Sequence, residues 1–322
     1  MSSGKAIRTS ELTKIYGDEK AVDGLSLEVE SGEIFGLLGP NGAGKTTTTG
    51  MLTTLVKPTS GSAEVNGFDV VSEQDRVRES IGVVFQESAL DDRLTGRENM
   101  EFHARMYGMG KTRRREKIEE MLELVDLSGD ADRQVEDYSG GMKRRLEIAR
   151  GLIQEPEVLF LDEPTLGLDA ETRRSIWEYI NDLNDREDMT IVLTTHYMEE
   201  ADFLCDRVSI MREGNLVATD SPASLKGRLG GDIVKIKVEG GSGVREAVEE
   251  LGWVEKVEFS GEELSVTTEN AEKHVAELVD LVESKGGDIE SLNLRKPSLE
   301  DVFLHLTGNR IAGRKGLGGG EK

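Results

Sequence analysis

The chain of 322 residues has little that would tie it to metals, disulfides or a bilayer. Its single cysteine, Cys205, excludes an internal disulfide framework and any cysteine-built zinc site. Its four histidines are scattered and show no metal-ligand spacing. The longest apolar runs, such as Val158-Leu159-Phe160-Leu161, stop far short of the roughly 18 residues needed to span a membrane. The opening Met1-Ser2-Ser3-Gly4-Lys5 leads into a strand-like segment without a signal-peptide core, so a chain kept in the cytoplasm is expected. Basic charge is also scarce: 40 Lys and Arg against 63 Asp and Glu leave a net charge of −23. Phosphate contacts supply most of the affinity of a nucleic-acid binder, and no basic face is visible to make them. The acidity is spread along the chain, with 18 acids and 8 bases in residues 231–307. It reads either as an ordinary solvated surface or as adaptation to a salt-rich cytoplasm.

What is present is the composition of a folded protein. Hydrophobic residues make up 36%, and the 37 glycines bring the apolar share to about 47%. The length allows two domains of roughly 100–200 residues each. Up to about residue 230, short apolar runs alternate with helical stretches. Ile34-Phe35-Gly36-Leu37-Leu38, Val83-Val84-Phe85, Val158 to Leu161, Ile191-Val192-Leu193 and Val208 to Met211 read as buried strands of a parallel sheet. Residues 5–35 read as an antiparallel layer turning at Tyr16-Gly17-Asp18, and residues 97–127 as helical. This predicts an α/β core with a helical subdomain over about 87–150.

The pattern changes at Gly227-Arg228-Leu229-Gly230-Gly231, which sets an expected boundary between domains at 1–230 and 231–307. Val234, Ile236 and Val238 alternate along a strand, and Val244 to Leu251 forms a short helix. A hairpin around Ser260-Gly261, an amphipathic helix over Ala271 to Ser284 and a strand over Ile289 to Leu294 follow. The order β-α-β-β-α-β is the ferredoxin-like arrangement. Pro297-Ser298 opens a last helix, with Ser298 as its cap, Asp301 at the third position, and Phe303, Leu304 and Leu306 as docking residues. Residues 308–322 are expected to be a disordered tail.

Gly39-Pro40-Asn41-Gly42-Ala43-Gly44-Lys45-Thr46-Thr47 fits G-x-x-x-x-G-K-[ST], after an apolar strand and before a helix. Its backbone N–H groups would wrap a phosphate chain, Lys45 would meet the β- and γ-phosphates, and Thr46 would ligate Mg²⁺. Asp162 and Glu163 stand at the end of a buried strand, where Asp162 would serve the Mg²⁺ shell and Glu163 would polarise water. A purely structural strand-end carboxylate is the plainer alternative. The two motifs point to hydrolysis of ATP or GTP and leave the class of enzyme open.

Tyr138-Ser139-Gly140-Gly141-Met142 narrows the class. Alone it is a helix N-cap. Asp162 follows Ser139 by 23 residues, and His196 follows Asp162 by 34. In this combination the chain resembles the ATP-binding-cassette ATPases over roughly residues 5–225. The resemblance implies a glutamine loop at Gln86, a signature loop at Ser139, Gly140, Gly141 and Met142, a D-loop at Asp169 and a switch histidine at His196. It also implies Gln86, with Thr46 and Asp162, around Mg²⁺, and Tyr16 stacked on adenine. Tyr138 and Met142 depart from the usual Leu and Gln ends of the signature. The family works as a dimer in which one copy's signature meets the nucleotide on the other's P-loop, so ATP-dependent homodimerisation is implied. Met142-Lys143-Arg144-Arg145 reads as a helix face beside the nucleotide rather than a nucleic-acid patch.

The C-terminal part, with its ending Pro297 to Gly308, is similar to the daunorubicin-resistance type of multidrug-export ATPase. That implies a separate polytopic membrane permease and a place on the cytoplasmic side of the membrane. For the second domain, packing or dimer stabilisation stands beside coupling or regulation. The competing reading of the whole chain is a soluble cassette ATPase acting on nucleic acid or ribosomes. Such chains usually fuse two cassettes or insert a coiled coil, and this one does neither.

Overall fold

The computed structural model describes residues 4–187, 189–240, 243–261 and 263–307. Contacts divide the chain into two units, 1–221 and 222–322. The division falls before the glycine-rich stretch at 227–231, because the helix over Pro222–Gly227 packs with the last helix of the second unit.

The first unit opens with strands β1 (Lys5–Tyr16), β2 (Glu19–Leu25), β3 (Glu28–Glu30) and β4 (Ile34–Leu38), then helix α1 (Lys45–Leu52). Next come β5 (Ser60–Val65), β6 (Phe68–Asp69), α2 (Gln74–Ser80) and β7 (Ile81–Val84). Three helices follow, α3 (Gly96–Met106), α4 (Lys111–Leu124) and α5 (Gly140–Leu152). The unit closes with β8 (Val158–Asp162), α6 (Ala170–Glu187), β9 (Thr190–Thr195), α7 (Met198–Leu204), β10 (Arg207–Arg212) and β11 (Asn215–Asp220).

The main sheet runs β11-β10-β4-β9-β8-β7. Its five expected strands are parallel, and β4, β8 and β9 are buried at every residue. Covered on both faces, such strands read as unbroken apolar runs. β11 was not expected: it returns from β10 through Glu213-Gly214 and closes the sheet as an antiparallel edge. The second sheet, β2-β1-β5-β6 with β3 also on β1, is antiparallel. Helix α1 lies between the sheets. Its Met51 and Leu52 share one apolar cluster with Ile7, Leu12 and Val65 of one sheet and Phe35, Phe160 and Val192 of the other.

The helical stretch at 97–127 is two helices, not one. Gly108, at φ +70°, and Gly110 separate α3 from α4. A capping box starts α3: Thr95 Oγ1 accepts from the Glu98 amide, and Glu98 accepts from the Thr95 amide. No helix among the described residues is long and apolar enough to cross a membrane.

The second unit comprises α8 (Pro222–Gly227), β12 (Asp232–Gly240), α9 (Val244–Glu249), β13 (Lys256–Ser260), β14 (Glu263–Thr268), α10 (Val275–Ser284), β15 (Gly287–Arg295) and α11 (Leu299–Thr307). The sheet order is β13-β14-β12-β15, with every pairing antiparallel, which is the ferredoxin-like topology. Val234, Ile236 and Val238 of β12 face Val248, Leu278 and Val282 across one core. The amphipathic helix begins later than its sequence suggests: residues 271–273 form a separate 3₁₀ turn before Val275. In α11 the buried face is Leu299, Val302 and Phe303, while Leu306 is exposed. Leu306, at i+7, falls on that same face but in the last turn of the helix. The expected tail at 308–322 lies outside the described residues.

Candidate functional site

Register places the site. Leu38 pairs with Thr195, Asp162 with Thr194, and Val84 with Leu161, so β4, β7, β8 and β9 end at one edge of the sheet. The loops after those ends carry Gly39–Gly44, Gln86, Glu163 and His196. Open parallel sheets take their ligands at the carboxyl ends of the strands.

The Gly39 amide extends the ladder by donating to Thr195 O at 3.2 Å, and the loop then turns sharply into α1. Gly44, at φ +101°, caps that helix, and a Cβ there would lie 2.5 Å from the carbonyl of Ala21. Only glycine meets both conditions. Lys45 is 5% exposed, and its Nζ donates to the carbonyls of Gly39 (2.8 Å) and Pro40 (3.2 Å). Burial pulls its pKa below the ordinary lysine value, against the raising influence of Glu163 and Asp162. The ammonium is therefore held by loop carbonyls in a place where an anion would satisfy it better.

Asp162 is buried at the end of β8, and Thr194 Oγ1 donates to its Oδ1. Glu163 takes φ +46°, a left-handed conformation. Its amide is held there by the carbonyl and hydroxyl of Thr194, each at 3.1 Å. Its carboxylate lies between two cations or potential cations: Oε1 is 3.7 Å from Lys45 Nζ, and Oε2 is 3.2 Å from His196 Nδ1. Nδ1 of His196 is buried without a hydrogen-bond partner among the described residues, so this closeness is contact and not a formed bond.

An open cleft of about 670 Å³ is lined by Tyr16, Asn41, Gly42, Ala43, Gly44, Lys45, Thr46, Thr47, Gln86, Glu163 and His196. That is the size range of small-molecule sites. Tyr16, 51% exposed, ends β1 at its rim, with Lys14 Nζ 4.9 Å from the ring centre. Gly39, Pro40 and Asp162 do not line the cleft; the carbonyls of the first two accept from Lys45.

The remaining expected residues are elsewhere. Ser139 caps α5, its Oγ accepting the Met142 amide at 3.2 Å. Ser139, Gly140, Gly141 and Met142 do not line the cleft; Gly140 borders an adjoining hollow of about 140 Å³ that shares Gln86, Glu163 and Leu166 with it. Asp169 precedes α6 and accepts from the hydroxyl (2.6 Å) and amide (2.9 Å) of Thr172, which hold its carboxyl below the ordinary value. Tyr138, the unusual signature residue, is buried and donates to the carbonyl of Asp130 at 2.7 Å.

Four contributors escaped the sequence reading. Thr194 positions both Asp162 and Glu163; its signal was a hydroxyl residue directly after the apolar run Ile191-Val192-Leu193 of a buried strand. Glu200 is wholly buried and accepts from Thr165 Oγ1 (2.6 Å) and Trp177 Nε1 (2.9 Å), tying α7 to the loop after Glu163. Glu19 and Glu213 line the cleft, and nothing in their local sequence marks them.

The strand, glycine loop and helix, with carboxylates at the end of β8 one strand further along the sheet, define a P-loop nucleotide hydrolase. A family model described as ABC transporter matches residues 22–166, and one for the C-terminal domain of DrrA1-3-like ATP-binding proteins matches 221–307. The daunorubicin resistance ATP-binding protein DrrA3 of Streptomyces coeruleorubidus is 42% identical over 306 residues, covering 94% of this chain and 96% of that protein. The Nod factor export ATP-binding protein I of Rhizobium sp. (strain N33) is 42% identical over 308 residues, covering 95% and 98%. Among solved structures, the ATP-binding cassette MJ0796, in a dimeric post-hydrolysis state with ADP and phosphate, superposes with a TM-score of 0.59 at 28% identity, covering 67% of this chain and 98% of that one. The chain belongs to the ATP-binding subunits of the ABC transporter family, with a DrrA-like C-terminal domain. ATP hydrolysis is its activity.

Proposed function

We propose that this chain is the ATP-hydrolysing subunit of an exporter, working as a homodimer on the cytoplasmic side of a separately encoded, polytopic membrane permease. The reading rests on one observation above the others. The P-loop, Gln86, Glu163 and His196 share a cleft, while Ser139 lies outside it. A second copy that brought Ser139 over the cleft would complete the site.

In this reading the amides of Gly42 to Thr47 and the Lys45 ammonium bind the phosphates, with Lys45 exchanging its loop carbonyls for them. Tyr16 stacks on the base. Glu163 accepts a proton from the attacking water and aims it in line, and His196 steadies that carboxylate and the γ-phosphate. Ser139, Gly140, Gly141 and Met142 offer a helix N-terminus to the same phosphate from the other copy. Asp169 shapes the surface between the copies. The donors of Thr46, Gln86 and Asp162 are all oxygens, the hard set that Mg²⁺ prefers. Among the described residues no cluster of three His, Cys, Asp or Glu could hold a metal, so such an ion would share its shell with the substrate's phosphates. When bound it neutralises phosphate charge.

The cassette is proposed to occupy the first unit and an accessory domain the second. Relatives named for daunorubicin resistance and for Nod factor export support efflux of a drug or lipophilic compound, with substrate choice left to the permease. The net charge of −23 is proposed to reflect adaptation to salt.

The test is Glu163→Gln in the full chain. It should bind ATP with unchanged affinity, lose turnover by about 100-fold or more, and elute as a dimer with ATP. Wild-type turnover in this variant would remove Glu163 from the chemistry.

A further inference from the structure

The signature helix α5 carries two arginines that point into the molecule. Arg144 and Arg150 are 7% and 9% exposed. Arg144 Nη1 donates to the carbonyl of Phe85 at 2.8 Å and to Glu147 Oε2 at 2.9 Å. Its Nη2 donates to the carbonyl of Asp162 at 3.1 Å and its Nε to that of Pro164 at 2.7 Å. Arg150 Nη1 donates to the carbonyl of Ala89 at 2.7 Å. Gln86 lies between the carbonyls of Phe85 and Ala89, and Glu163 lies between those of Asp162 and Pro164. The 85–89 segment belongs to no helix or strand.

We propose that Arg144 is a positioning residue that makes the signature helix, the Gln86 segment and Glu163 shift as one body, with Arg150 as the second anchor of that segment. The proposal deepens the functional reading above, because it takes the roles of Gln86, Glu163 and Ser139 from it. The argument is geometric. A guanidinium is planar, permanently charged and carries five donors, so one side chain can serve three carbonyls and a carboxylate in fixed directions. The carbonyls belong to two strand ends, Phe85 after β7 and Asp162 with Pro164 at the end of β8, and all are gripped from a helix whose first turn is capped by Ser139. A force on Ser139 from a second copy therefore reaches both loops without passing through the sheet. Arg144 touches no substrate; it acts through the backbone on either side of the residues that do. A lysine could satisfy one of these acceptors well, but not the set.

The experiment uses the purified full chain with Arg144→Lys, Arg144→Gln and Arg150→Lys. The readouts are kcat and KM for ATP with Mg²⁺, and amide hydrogen exchange at 85–89 and 140–150 with and without a non-hydrolysable ATP analogue. In the wild type the analogue should protect both segments together. Arg144→Lys should fold and keep KM within about threefold, because no P-loop contact is lost. Its kcat should fall about 10- to 100-fold, the loss expected from misplacing reacting groups by about 1 Å. The two segments should then respond separately, and Arg150→Lys should free 85–89 with a smaller loss. Unchanged kcat with joint protection retained in Arg144→Lys would overturn the proposal. So would a parallel loss of ATP binding and kcat, which would make Arg144 a support of the fold alone. If Arg144→Gln fails to fold, the lysine variant decides. If Glu163→Gln still turns over ATP, the role assigned to Glu163 fails, and the exchange measurement still decides the clamp.

Discussion

Glu163 shows how much of this site is set by single residues. Its left-handed backbone costs on the order of 1 kcal/mol or more in a non-glycine residue. Two hydrogen bonds from its amide to Thr194 keep it there and aim the carboxylate between Lys45 and His196. Lys45 shows the same preparation, held against loop carbonyls with a pKa lowered chiefly by burial. Ser139 is the contrast: exposed, capping its own helix and absent from the cleft. Ser139→Arg should therefore leave ATP affinity of the single chain unchanged. In the Glu163→Gln background it should abolish the ATP-induced dimer, read by light scattering. Weakened nucleotide binding by the monomer would mean that the signature acts within its own chain.

Among the elements, α11 makes the sharpest prediction. Burial would raise the Asp301 carboxyl, but hydrogen bonds from the Arg295 guanidinium and from Ser298 outweigh it and bring it to about 2. Ser298 in turn caps the helix, its Oγ accepting the Asp301 amide at 3.3 Å, while its own amide donates to Asp301 at 2.8 Å. A carboxyl held below its unfolded value stabilises the fold above that unfolded value, and the contribution fades as pH falls through the native one. Asp301 should thus contribute fully above about pH 4 and lose its contribution between about 4 and 2. Because the group is part-buried and partly screened, roughly 1–2 kcal/mol is expected at neutral pH. Asp301→Asn should lower the urea midpoint at pH 7, and the gap from the wild type should narrow on acidification. A gap independent of pH would show that the charge contributes nothing. The capping serine and the acid were legible because caps are local. The Arg295 partner was not, since it comes from the end of β15, across the turn.

At the scale of the whole molecule, charge dominates. With −23 on 322 residues, like charges repel within one chain and between two copies. The Debye length is about 30 Å at 0.01 M salt and about 3 Å at 1 M, so molar KCl silences that repulsion. Melting temperature and ATPase rate should both rise across a KCl series into the molar range. A flat melting temperature, with activity falling above about 0.3 M, would discard salt adaptation and leave the cassette untouched.

Features that a short stretch of chain can encode were legible before folding. The P-loop spells its own turn, because Gly44 must adopt a positive φ and Lys45 must follow it. Continuous apolar runs announced β4, β8 and β9 as buried, and alternation along β12 announced the second core. Which distant pieces meet is settled by the folded chain. It brought Tyr16 to a cleft lined by residues 41–47 together with Gln86, Glu163 and His196. It turned Arg144 from a residue in a basic run into a buried clamp on three carbonyls. It also placed β11 antiparallel at the edge, and broke one helical stretch at Gly108 into two. The physical reason is reach. A turn or a strand is chosen by neighbours a few residues away, whereas a guanidinium or a threonine hydroxyl finds its acceptors only after the chain has folded back on itself.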